Sequence, residues 1–116
     1  MTKYSDGYRF ECATRDALKR DGYEVIRSAG SKGKVDLVAF KTGQILFVQC
    51  KLDGMCPLSE RKELVRLAGL VGALPIVAFK HKEGRVAAEV RYRLLTGTGP
   101  YEYVKWLPDS VIGNDH

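Results

Sequence analysis

Residues 35–51, Val35-Asp36-Leu37-Val38-Ala39-Phe40-Lys41-Thr42-Gly43-Gln44-Ile45-Leu46-Phe47-Val48-Gln49-Cys50-Lys51, decide how this chain is read. Two runs rich in β-branched and aromatic residues, 35–40 and 44–51, flank the turn signal Lys41-Thr42-Gly43-Gln44, so the segment predicts a β-hairpin. A turn centred on Thr42-Gly43 pairs residues whose numbers sum to 85, so Lys41 faces Gln44 and, further down, Asp36 faces Gln49. Side chains alternate faces along a strand, which puts Lys51 on the same face as Gln49. Opposed Cβ atoms in such a pair lie about 4.5–5.5 Å apart. Asp36, Gln49 and Lys51 are therefore expected to cluster at one end of the hairpin, with Ile45 and Phe47 deeper in as an apolar floor.

Upstream, Asp6 to Arg20 predicts a helix with Phe10, Ala13 and Ala17 along one stripe, Asp6 as its cap and Asp21-Gly22 as its stop. Tyr23–Arg27 reads as a strand, and Ser28-Ala29-Gly30-Ser31-Lys32-Gly33-Lys34 as a glycine-rich basic loop. Downstream, Pro57 and Ser59 open a second helix, Ser59 as cap, with Leu64, Leu67, Ala68 and Val71 as its buried stripe. Leu74–Lys80 and Val86–Leu95 read as strands around the polar turn 81–84. The tail from Thr96, with Tyr101, Tyr103 and Trp106, is expected to fold back as an edge or lid, those rings making core or dimer contacts. The order α-β-β-β-α-β-β predicts an α/β fold, a mixed central sheet flanked by two helices.

At 116 residues the chain is sized for one domain, residues 1–116, with a core of about 6–95 and a tail of 96–116. A hydrophobic share of 45% with 28% charged residues excludes a disordered or fibrous protein. The weakly polar run Leu67–Phe79 is broken by two glycines and Pro75, too short and interrupted for a membrane span. The opening MTKYSDGYRF has no apolar export signal, so a cytoplasmic location with no membrane partner is expected. Over residues 1–105, nineteen bases face twelve acids, a net +7 that favours polyanionic partners. Cys12, Cys50 and Cys56 form no CxxC pair, and with only His81 and His116 neither a disulfide scaffold nor a zinc site is expected.

A carboxylate, an amide oxygen and an ammonium on an apolar floor suit one task. Asp36, Gln49 and the main-chain carbonyl of Cys50 offer hard oxygen donors for a divalent cation such as Mg²⁺, with Mn²⁺ as a substitute. A cation there would stabilise phosphorane-like charge and acidify a bound water. Lys51 can orient or deprotonate that water, or neutralise charge on a scissile phosphate. Glu11, beside Phe10 on the first helix, can add a further ligand. A plain reading also exists, in which Asp36 and Lys51 form a surface ion pair worth about 0–1 kcal/mol. The GSKGK stretch does not satisfy the GxxxxGK[ST] pattern of a nucleotide-binding loop.

Gly7-x-x-Phe10-Glu11, Arg27-Ser-Ala-Gly30-Ser31-x-Gly33-x-x-Asp36 and Val48-Gln49-Cys50-Lys51 resemble the archaeal-type Holliday junction resolvases and their phage-encoded relatives. These belong to the PD-(D/E)XK nuclease superfamily. The resemblance spans roughly residues 7–80 and, with the chain's compactness, points to a phage-encoded relative acting in its host's cytoplasm. It implies a restriction-endonuclease-like fold and Glu11, Asp36, Gln49 and Lys51 as the catalytic and metal-binding set. It also implies a catalytic contribution from Ser31. Enzymes of this kind are Mg²⁺-dependent homodimers that nick four-way DNA junctions in pairs. One departure stands out: Gln49 occupies a position where archaeal members usually carry Glu, leaving one carboxylate fewer for the metal.

Lys32 and Lys34 are expected phosphate contacts, with Arg9 and Arg27 as further DNA-binding candidates. Arg15, four residues after Glu11, could pair with it, and Arg61, Lys62 and Arg66 read as the wet face of the second helix. The leading expectation is a dimeric, structure-selective endonuclease resolving four-way junctions by paired nicks. Beside it stand a nuclease of the same superfamily acting on other branched or damaged DNA, and a non-catalytic junction-binding module.

Overall fold

The structure, a computed structural model, describes residues 3–28, 35–85 and 88–108. Helix α1 spans Lys3–Arg20, followed by strands β1 (Glu24–Arg27), β2 (Leu37–Lys41) and β3 (Gln44–Cys50). Helix α2 (Leu58–Val71) leads into β4 (Leu74–His81), β5 (Glu89–Leu95) and β6 (Tyr103–Trp106). The six strands lie in sequence order in one sheet. Every neighbouring pair is antiparallel except β3 and β4, which are parallel. A parallel pair needs a crossover, and α2 supplies it.

The hairpin register is the predicted one: Lys41 pairs with Gln44, and the ladder runs down to Leu37 opposite Val48. Gly43, at φ 79°, takes the left-handed conformation that so tight a turn requires. The two faces of the sheet are separately buried. On one, Phe10 and Leu18 of α1 pack with Leu37, Leu46, Val48, Ile76 and Ala78; on the other, Leu64 of α2 packs with Val35, Val77 and Leu95. Strands β3 and β4 are covered on both sides, which explains why they read as nearly continuous apolar runs. The result is the expected α/β architecture, a mixed sheet between two helices. Among the described residues no helix is long and apolar enough to cross a membrane.

Several expected boundaries shift. Helix α1 begins at Lys3, so Asp6 sits inside its first turn, complementing the helix dipole instead of capping. Pro57, not Ser59, is the N-cap of α2, and it makes no side-chain cap bond. Val71, expected on the buried stripe, is 55% exposed because it is the last residue of α2, while Leu64 and Ala68 are fully enclosed. Strand β2 starts at Leu37 instead of Val35, because the chain bends at Asp36 and Val35 joins the cluster under α2. Ile45 lies at the exposed edge of the expected apolar floor, and Phe47 packs into it. The tail does form an edge strand, with Trp106 set edge-on to Tyr92 at 5.6 Å; Tyr101, however, is 86% exposed and makes no core contact.

Candidate active site

The bend at Asp36 is where the ladder hands over to side chains. The Asp36 N–H donates to the Val48 carbonyl at 2.9 Å, and its own carbonyl accepts the Ser28 N–H at 2.9 Å. Beyond Leu37 and Val48, the Cys50 N–H at the end of β3 gives its hydrogen bond to the Asp36 carboxylate at 2.8 Å. The carboxylate is thereby fixed against the end of β3. Gln49, one residue before, is 1% exposed and sits opposite Val77 of β4. Lys51 continues toward β4, its N–H donating to Ala78 at 2.9 Å.

Glu11 reaches the same end of the sheet from α1. Its carboxylate accepts from the Arg27 guanidinium at 3.1 Å, and that guanidinium lies 4.7 Å over the Tyr8 ring. Burial, and then the charge of Asp36, lift the Glu11 carboxyl above its ordinary value despite Arg27. Asp36 is likewise lifted, chiefly by burial and further by the charge of Glu60, against the Cys50 N–H, Lys51 and Arg27. Two half-buried carboxylates that each hold protons more tightly than usual, chiefly because they are desolvated, offer a cation poorly hydrated ligands.

Lys51 does not pair with Asp36. Its ammonium lies 2.6 Å from the carboxylate of Glu60, in the first turn of α2. Burial works against the ammonium, but the Glu60 carboxylate prevails and holds Lys51 above its ordinary value. Glu60 is the residue that sequence reasoning missed, since an acid in the first turn of a helix is ordinarily explained by the helix dipole. Cys50 turns its thiol away, among Thr14 and the core beneath α1, where burial pushes it far up.

The structure thus brings Glu11, Asp36, Gln49, Cys50 and Lys51 to one end of the sheet, with Arg27 on Glu11. Arg9 lines an adjoining cleft of about 380 Å³ together with Leu52 and Lys80. Arg15 pairs with Asp16 at 3.0 Å, not with Glu11. Ser31, Lys32 and Lys34 lie outside the described residues. A larger groove of about 870 Å³ between α1 and β5–β6 contains none of the site residues.

Among the described residues no three His, Cys, Asp or Glu side chains close on one point. The donors on hand are the carboxylates of Glu11 and Asp36 with the amide of Gln49 and the Cys50 carbonyl. That oxygen-only set fits Mg²⁺, which keeps several waters and needs only one or two protein carboxylates. It does not fit zinc.

Comparison with known proteins gives one consistent answer. A family model described as archaeal Holliday junction resolvase (Hjc) matches residues 2–98. The crossover junction endodeoxyribonuclease Hjc of Methanocaldococcus jannaschii is 38% identical over 82 residues, 67% of this chain and 61% of that protein. The chain therefore spans less than two thirds of that relative's length. The structure of Archaeoglobus fulgidus Hjc, a Holliday junction resolvase from an archaeal hyperthermophile, is similar with a TM-score of 0.58 and 31% identity, over 73% of this chain and 70% of that one.

Proposed function

From the premise that this chain belongs to the archaeal Holliday junction resolvase family, we propose that it is a Mg²⁺-dependent endonuclease that resolves four-way DNA junctions by paired nicks. The observation that carries this reading is the convergence of two proton-retaining carboxylates, Glu11 and Asp36, on the end of β3 beside Lys51. Desolvated carboxylates are costly to the fold, and a cation that neutralises them is what metal-assisted phosphodiester cleavage requires.

Each residue has a distinct task. Asp36 and Glu11, with the Gln49 amide and Cys50 carbonyl oxygens, would hold Mg²⁺ or Mn²⁺. The ion, when bound, supplies Lewis-acid stabilisation of the phosphate and a more acidic water. Lys51, as an ammonium, neutralises charge building on the scissile phosphate. The Cys50 N–H keeps the Asp36 carboxylate aimed. Arg27 orients Glu11 and partly offsets the repulsion between the two acids. Ser31 keeps the catalytic role that the resemblance implies, Lys32 and Lys34 contact phosphates, and Arg9 follows the DNA backbone beside the site. Recognition is by junction shape and phosphates, in keeping with the basic charge of the chain. Two symmetric nicks call for two sites in fixed relation, hence a twofold homodimer.

The test is cleavage of a labelled synthetic four-way junction with Mg²⁺, beside a linear duplex of the same sequence, by wild type and Asp36→Asn. Paired symmetric nicks from wild type alone, with the duplex intact, are expected. Equal cutting of the linear duplex would move the substrate away from junctions. Tight junction binding with no cutting would make the protein a binding module and Gln49 the mark of a silenced site.

A further inference from the structure

The departure at Gln49 leaves β3 with a neutral, buried amide in place of an acid, yet the site is not short of negative charge, because α2 brings a carboxylate to it. We propose that Glu60 is a positioning residue that clamps the Lys51 ammonium beside Asp36, and so returns to the site the acidic charge that β3 lacks. The proposal rests on the nuclease reading above.

The geometry sets this pair, like Arg27–Glu11 at 30% and 23% exposure, apart from the more exposed ion pairs among the described residues. Lys51 and Glu60 are 2.6 Å apart with only 27% and 25% of their side chains exposed, whereas Arg91–Glu89 is 39% and 55% exposed. A free lysine spreads over many rotamers, and holding one in place costs side-chain entropy before any work is done. A partner within contact distance removes that freedom in advance. Lys51 also feels the charge of Asp36, while its contact is with Glu60. An acid placed only to favour the N-terminus of α2 would have no reason to meet Lys51, nine residues earlier in the chain.

The experiment uses the full chain with Glu60→Gln and Glu60→Asp, each first shown by thermal melting to fold. In the metal-free protein, acetylation of Lys51 by acetic anhydride is followed by peptide mass spectrometry, with exposed Lys80 as the internal standard. Junction cleavage is then measured as kcat and KM separately. Glu60→Gln should speed Lys51 acetylation several-fold relative to Lys80. Its kcat should fall about 10–100-fold, with KM changed by less than about threefold. Glu60→Asp, one methylene shorter, should fall between, and it carries the comparison if the Gln variant does not fold. Unchanged Lys51 labelling, or an unchanged kcat, would overturn the proposal. If wild type itself cuts no junction, the nuclease reading fails instead, and labelling alone decides whether Glu60 holds Lys51.

Discussion

Replacing Asp36 by Asn removes one charge from beside Glu11 while keeping an oxygen that can accept the Cys50 N–H. Burial is the chief reason the Asp36 carboxyl is held above its ordinary value of 3.8, and Glu60 adds to it. A carboxyl raised in the folded state favours folding while it is protonated, and that contribution is lost as pH rises from the ordinary value through the folded one. In metal-free protein at about pH 8 the Asn variant should therefore be the more stable, and the two should converge in acid. Solvent still reaches this half-buried group and screens the penalty, so the gain is at most about 1 kcal/mol, roughly 3–6 °C in a domain of this size. Added Mg²⁺ reverses the order. At ten times its Kd, a ligand of the folded state contributes about 1.4 kcal/mol, or roughly 4–8 °C. Wild type should show that rise, and Asp36→Asn little of it. Calorimetric melts across a Mg²⁺ series, near pH 8 and near pH 4, measure both effects. A metal-free Asn variant less stable than wild type would refute the assigned charge cost, and equal Mg²⁺ shifts would remove Asp36 from the ion's ligands.

Leu64 is fully enclosed between α2 and the sheet against Val77 and Leu95, so Leu64→Ala should cost about 3–4 kcal/mol in urea unfolding. Leu70→Ala, on the same helix but 69% exposed, should stay within about 0.5 kcal/mol, and near-equal costs would contradict the packing of α2. Gly54 has φ 77°, and a Cβ there would stand 2.8 Å from the Arg93 guanidinium. That guanidinium is stacked between Phe79 at 4.4 Å and Tyr103 at 4.6 Å, so it yields poorly. Gly54→Ala should lose about 1–2 kcal/mol in thermal melts, and less in an Arg93→Ala background; equal losses in both would deny the clash.

What the sequence disclosed follows from what is local. The turn at Thr42-Gly43 fixes the hairpin register, and a fixed register sends Asp36 and Gln49 to the same end of the sheet with no tertiary knowledge needed. Glu11, a candidate from its place beside Phe10 and again from the family resemblance, lies on α1 and comes near Asp36 only once the helix has docked. Glu60 stayed hidden because its significance depends on how residues 51–57 turn, and nothing in Ser59-Glu60 marks the acid as more than a first-turn acid. Val71 was misjudged because helical periodicity continues past the point where the sheet stops covering the helix. Arg15 lies at a spacing that suits Glu11, but adjacent Asp16 wins it, since α1 directs Glu11 inward to Arg27. The misses share one cause: each depends on where a surface ends or a loop returns.

The topology explains why the site is where it is. After the hairpin, the chain leaves the carboxyl end of β3 and must come back to lay β4 parallel beside it, and only a crossover can do this. It turns at residues 51–54, where the Gly54 N–H bonds to the Lys51 carbonyl at 2.9 Å and Arg93 of β5 donates to the Gly54 carbonyl at 3.1 Å. That pinned turn brings the first turn of α2 back over the strand end and sets Glu60 on Lys51. From the opposite layer α1 brings Glu11, and the bend at Asp36 supplies the carboxylate between them. The end of β3 is thus where both helical layers meet the open end of the sheet. Charges that would be prohibitive at mid-sheet can there be half-buried yet still within reach of water, an ion and a phosphate. Loosening the 51–54 turn should therefore disturb the crossover and the placement of Lys51 together, because one short stretch of chain sets both.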